Sequence, residues 1–84
     1  MSTVVVVYAT HVCPYCRRAL ALLDQKGVQS QILWVDRQPE LRTEMQRRSG
    51  RHTVPQIFVG DRHLGGCDDL YELDRRGELD SLLR

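Results

Sequence analysis

Two thiols separated by Pro14 and Tyr15, at Cys13 and Cys16, are the side chains of this sequence best suited to covalent chemistry. They follow a β-branched run and open a segment in which Cys16, Ala19, Leu20 and Leu23 recur at i, i+3, i+4 and i+7. That spacing is one apolar stripe of a helix. Pro14 suits a first helical position, where the missing N–H costs nothing, and Gly27 suits the stop. A Cys-x-x-Cys at such a junction reads as a dithiol redox motif. The spacing puts both sulfurs on one side of the first turn, close enough to bridge. Cys13, at the N-cap, is expected to face free N–H groups and the positive end of the helix dipole, which favour thiolate. Cys16, one turn in, belongs to the buried stripe and should stay inert until a mixed disulfide forms beside it.

Magnitudes say what an activated thiol gains. Lowering a thiol pKa from about 8.5 to about 5 raises its thiolate fraction at neutral pH roughly 30-fold. With a Brønsted slope of about 0.45, the same shift lowers intrinsic nucleophilicity roughly 40-fold. The two nearly cancel for attack, so the benefit lies in departure: the thiolate leaves readily when its mixed disulfide is resolved. Zinc is a poorer reading of the pair. Cys67 with His11, His52 or His63 could be assembled as further ligands, but there is no second Cys-x-x-Cys and no His-x₃₋₅-His.

These thiols need a frame. Thr3–Tyr8 reads as a strand, Pro14 to about Lys26 as a helix and Gln31–Asp36 as a second strand. Short links in that order make the two strands parallel, with a right-handed crossover. A second helix from about Pro39 to Ser49 turns Leu41 and Met45 to the core and stops at Gly50. Its thin apolar stripe places it at the surface. Gln56–Val59 and Arg62–Leu64 flank Gly60-Asp61, a two-residue hairpin signal. Gly65-Gly66 leads into a third helix with Cys67, Leu70 and Tyr71 on its apolar side, and Gly77 ends it. Leu79, Leu82 and Leu83 make a short closing turn or helix. The order β-α-β-α-β-β-α predicts an α/β fold, a four-stranded mixed sheet flanked by helices. Trp34 is expected in the core and His63 in solvent.

Eighty-four residues, 42% of them apolar, suit a single domain over 1–84 with one small core. Twelve basic against eleven acidic side chains leave +1, which argues against nucleic-acid binding. The longest aliphatic run, Val4–Val7, is too short for a membrane span or a signal-peptide core. A cytoplasmic location is therefore expected, where thiols stay reduced. Charge is uneven: five Arg minus two Glu give +3 over Arg37–Arg51, and two Arg against six acids give −4 over Asp68–Asp80. Two solvated helix faces account for this, as would a weak dipole that orients a charged partner.

Cys13-Pro14-Tyr15-Cys16, Thr53-Val54-Pro55 and Gly65-Gly66-Cys67-Asp68-Asp69 together resemble the glutaredoxins, and the span Thr3 to Arg84 looks like their short bacterial dithiol type. The resemblance implies a thioredoxin fold and glutathione-dependent disulfide reduction by Cys13 and Cys16. It implies a cis peptide before Pro55, with the Val54 backbone pairing with the cysteine of glutathione. Cys67 and Asp68 would bind the γ-glutamyl end, and Tyr15, Thr53 and Gly66 would complete the site. Glutathione is then the co-substrate, with no metal. Oxidised or glutathionylated proteins are the partners, and the chain acts as a monomer.

Physical chemistry supports these transfers unequally. Pro55 at a strand start is tolerated, and Val54 could offer its N–H and C=O to a peptide-like ligand as a short added strand. Gly65-Gly66 permits close backbone approach, and the helix start behind it offers N–H groups to a carboxylate. Asp68 or Asp69 can cap that helix or receive an ammonium group; both uses are open. Cys67 is either a small buried hydrophobe or a third, oxidation-sensitive thiol. Two departures stand out. Thr10, next to His11, occupies a place where many glutaredoxins carry Lys, and His52, next to Arg51, one where many carry Arg. Arg42 or Arg51 is the expected substitute, with a pH dependence that follows His52 or His11. The rival function is an iron–sulfur carrier, with Cys13 of two subunits and two glutathiones holding a cluster; Pro14 stiffens the turn against that use. A second rival is a redoxin fed by thioredoxin reductase.

Overall fold

A computed structural model describes residues 4–84 of the chain. Thr3, expected to open the first strand, lies outside them. Among the described residues β1 is Val5–Ala9, α1 Pro14–Gln25, β2 Ser30–Trp34 and α2 Pro39–Ser49. There follow β3 Gln56–Val59, β4 Arg62–Gly65, α3 Cys67–Arg75 and α4 Leu79–Leu82. The closing turn is thus a short helix, and β2 starts and stops a little earlier than the expected Gln31–Asp36.

The strands form one sheet in the order β2-β1-β3-β4. β1 runs parallel to β2, with Val7 opposite Ile32, and antiparallel to β3, with Val7 opposite Ile57. β3 and β4 are antiparallel with an irregularity between Ile57 and Phe58. The sheet is mixed because α1 carries the chain from β1 to β2 as a crossover, while the short turn at Gly60 and Asp61 folds β4 straight back. No helix among the described residues is long and apolar enough to cross a membrane.

Period-two alternation splits the core between the two sheet faces. Val5, Val7, Ala9, Ile57 and Val59 meet Cys16, Ala19, Leu22 and Leu23 of α1 and Cys67 and Leu70 of α3. On the opposite face Tyr8 and Phe58 meet Val35 and Met45, the latter the buried residue of α2. With cover on both faces, β1 can be apolar throughout. Tyr8 brings a hydroxyl into that second layer, where it donates to Glu44 Oε2 and accepts from Arg48 Nη1 at 2.8 Å. Trp34 departs from expectation: it is half-buried, and its ring stacks on His11 with centroids 3.8 Å apart. The ring still packs against the α1 side of the core, so the core expectation holds in part.

Candidate functional site

Cys13 is the N-cap of α1, with extended backbone and its carbonyl accepting from Arg17 N at 3.2 Å. Pro14 takes the first helical turn, as its fixed φ and absent N–H favour. The sulfur of Cys13 makes no capping hydrogen bond; instead it lies 3.8 Å from the carbonyl oxygen of Val54. Cys13 is half-buried, Cys16 is 1% exposed, and both are free thiols. Burial pushes the Cys16 thiol up to about 11; the backbone of Thr10 opposes the rise, and the Cys13 thiol beside it adds to it. The two sulfurs therefore differ as the helix stripe predicts, one reachable and one held as a thiol beneath it.

Beside Cys13 runs a groove of about 290 Å³ lined by Tyr15, Arg51, Thr53, Val54, Pro55, Gly66, Cys67, Asp68 and Asp69. The seven residues expected to bind a ligand, Tyr15, Thr53, Val54, Pro55, Gly66, Cys67 and Asp68, are brought together there from three separate stretches of chain. One wall is the strap leading into β3, where the Val54–Pro55 peptide is cis. The other is the start of α3. Tyr15, 54% exposed, joins the lining from the first turn of α1.

The glycines explain how the walls approach. Gly65 has φ +109°, and a Cβ there would fall 2.3 Å from Asp69 Oδ2. At Gly66 a Cβ would come within 3.2 Å of the Pro55 carbonyl across the groove. Gly66 is the N-cap of α3, and its N–H donates to Asp69 Oδ2 at 2.9 Å. Arg51 Nη1 donates to the same oxygen at 2.8 Å. The Arg51 guanidinium, then the Gly66 N–H, hold the Asp69 carboxyl below its usual range. The two roles open to the acidic pair are thereby divided: Asp69 caps the helix, and Asp68 is exposed at the rim.

The candidate cations separate too. Arg51 lines the groove; Arg42, His11 and His52 do not. His11 turns to β2, its Nδ1 3.0 Å from Asp36 Oδ2 and its ring on Trp34. That removes His11 as a groove cation. Cys67 is 4% exposed, and burial raises its thiol above the ordinary value. His63, expected in solvent, is half-buried, with its ring 4.8 Å from that of Phe58 and its Nε2 2.7 Å from Gln56 Oε1. Arg51 and Asp69, both candidates from the sequence, line the groove, whereas Gln56, buried beside it, was not among the candidates. The signal for Gln56 was a polar residue in an otherwise apolar strand.

Comparison with known proteins fits this geometry. The family model described as Glutaredoxin matches residues 5–64. The chain belongs to the glutaredoxin family. It is 58% identical over 78 residues to glutaredoxin 3 of Escherichia coli, covering 93% of this chain and 94% of that one. It is 56% identical over 79 residues to a glutaredoxin of Pseudomonas aeruginosa, covering 94% of each. A buckwheat glutaredoxin solved in complex with glutathione superposes with a TM-score of 0.89 at 33% identity, over 96% of this chain and 76% of that one. The fold is that of the family, and membership makes the chain a thiol–disulfide oxidoreductase.

Proposed function

We propose that the chain is a glutathione-dependent oxidoreductase that reduces protein–glutathione mixed disulfides and protein disulfides through Cys13 and Cys16. The observation that carries this is the meeting of Cys13 Sγ, at 3.8 Å, with the carbonyl of Val54, a residue that lines the groove. A ligand extended along Val54 would present its own sulfur to Cys13, and the glutathione complex of the buckwheat relative supports glutathione as that ligand. In this reading Val54 pairs with the ligand backbone, Asp68 and the start of α3 receive its α-ammonium and α-carboxylate, and Arg51 meets its other carboxylate.

The Cys13 thiolate attacks the glutathione sulfur of a mixed disulfide, and the protein thiolate departs. A second glutathione thiolate attacks the glutathione sulfur now bonded to Cys13, which releases the Cys13 thiolate and forms glutathione disulfide. For a protein disulfide, Cys13 bonds to one protein sulfur as the disulfide breaks and the other sulfur departs as a thiolate. Cys16 then loses its proton to the solvent or the departing thiolate and attacks Cys13 Sγ, closing the Cys13–Cys16 bond and freeing the protein dithiol. Two glutathiones return it to the reduced state. The burial that holds Cys16 as a thiol keeps it out of the first route. The reading places the chain, as a monomer, in a reducing compartment such as the cytoplasm.

Reduction of a small glutathione mixed disulfide and of a protein disulfide by wild type, Cys13→Ser and Cys16→Ser tests this. Cys13→Ser should lose both activities, and Cys16→Ser should keep the first and lose the second. Equal loss in both variants would refute the two-route scheme.

A further inference from the structure

Gln56 and His63 are polar groups beside the groove for which the exchange chemistry has no use. Gln56 is 0% exposed, on β3 between Pro55 and Ile57. Its Nε2 donates to the Thr53 carbonyl at 2.9 Å and reaches the Thr53 hydroxyl at 3.3 Å, while Oε1 lies 2.7 Å from His63 Nε2. A carbonyl can only accept, so the amide's donor end must face Thr53 and its acceptor end must face the imidazole. His63 Nε2 therefore carries a hydrogen. Burial and the nearby Arg51 and Arg48 charges depress the imidazole's pKa, with Asp69 opposing them. A protonated ring would still present Nε2–H, so the polarity of the chain of bonds does not depend on that charge. Stacking on Phe58 holds the ring plane.

Thr53, at the other end, is exposed and lies outside any strand. Its bonds to Gln56 tie the strap to the core immediately before Val54. The neighbours of Gln56 in β3 are apolar, and an apolar side chain there would serve the core without the need to satisfy a buried amide at both ends. We propose that Gln56, oriented by His63, is a positioning residue: it clamps Thr53 and so sets where the Val54 backbone meets a docked glutathionyl group. This rests on the reading that the groove takes glutathione.

The test compares two disulfides, each mixed with the pre-reduced full chain in a single turnover, with the Cys13–Cys16 dithiol as the two-electron reductant and no free glutathione, which would exchange the second disulfide into the first: the mixed disulfide of glutathione with 2-mercaptoethanol, and bis(2-hydroxyethyl) disulfide, which has nothing to lay along the strap. Gln56→Met removes both ends of the amide; Gln56→Glu keeps the acceptor toward His63 and sets a second acceptor against the Thr53 carbonyl. Either should lower the second-order rate constant for the glutathione-bearing disulfide about fivefold relative to the other, as expected for one misdirected hydrogen bond. An unchanged ratio, or an equal fall on both disulfides, overturns the clamp. Should these core variants not fold, His63→Phe keeps the ring stack and deletes the donor, and it should shift the same ratio about twofold; no shift overturns the proposal. A wild type with no preference for the glutathione-bearing disulfide removes the glutathione reading and the clamp with it. A wild type that prefers it, with variants that prefer it equally, removes the clamp alone.

Discussion

At the scale of single residues, the groove holds one guanidinium and no imidazole. Arg51 is already paired with Asp69 at 2.8 Å, and both side chains are about half exposed, so the pair itself contributes little to stability. Its use lies in presenting a cation at the groove wall, where a carboxylate can compete for the donors Asp69 leaves unused. Arg51→Gln should therefore raise KM for a glutathione mixed disulfide about three- to tenfold, with less salt dependence than wild type. His52→Gln should keep the wild-type KM at each pH, because His52 does not line the groove. A pH-dependent KM that vanished in His52→Gln would contradict this placement. The thiols were legible one by one, because helix periodicity alone distinguishes an N-cap from a buried turn. The division between Asp68 and Asp69 was not: adjacent carboxylates have equal standing until Gly66 and Arg51 come near one of them.

Among the elements, the turn from β4 into α3 is the most constrained. Gly65 combines a left-handed φ with a carboxylate where its Cβ would stand. Gly65→Ala must strain the backbone and displace Asp69, which would take the cap from Gly66 N–H. The expected cost is about 2 kcal/mol, read as a lower midpoint in thermal or urea unfolding. Gly77→Ala, at φ +74° with nothing near its Cβ, separates the backbone cost from the cap and should be the milder change. Glycine and proline made the element boundaries readable here. Pro14 and Pro39 start helices, Gly50 ends one in the left-handed conformation, and the Gly65-Gly66 pair announces the approach to α3. The ends of β2 were less legible, since an edge strand stops where its partner β1 stops and not where its own apolar run does.

For the whole molecule, two populations of ionisable groups set the response to acid. His63 is depressed below its ordinary 6.5 by burial first and by Arg51 next. The unfolded chain therefore binds more protons than the folded one as pH falls through 6.5, and stability falls in that window until the folded imidazole also protonates. Asp36, held down chiefly by His11, and Asp69, held down chiefly by Arg51, sit below 3.8 in the folded state. Their contributions are present above 3.8 and are lost at more acid pH. Unfolding midpoints should thus decline in two steps. His63→Gln should reduce the upper step and leave the lower; an unaltered upper step would assign it to another group. The sequence by itself determined the order of elements, the dithiol at the head of α1 and the faces each apolar residue turns inward, because periodicity, capping and turn chemistry are local. Tertiary structure alone decided that the strap before Pro55, the start of α3 and the head of α1 converge on one groove. It also decided that Arg51 and not a histidine lines it, and that Gln56 and His63 stand behind it. Those choices depend on distances between segments well apart in the chain, 18 residues for Arg51 and Asp69 and 41 for Cys13 and Val54, which sheet order and register set and no local pattern encodes.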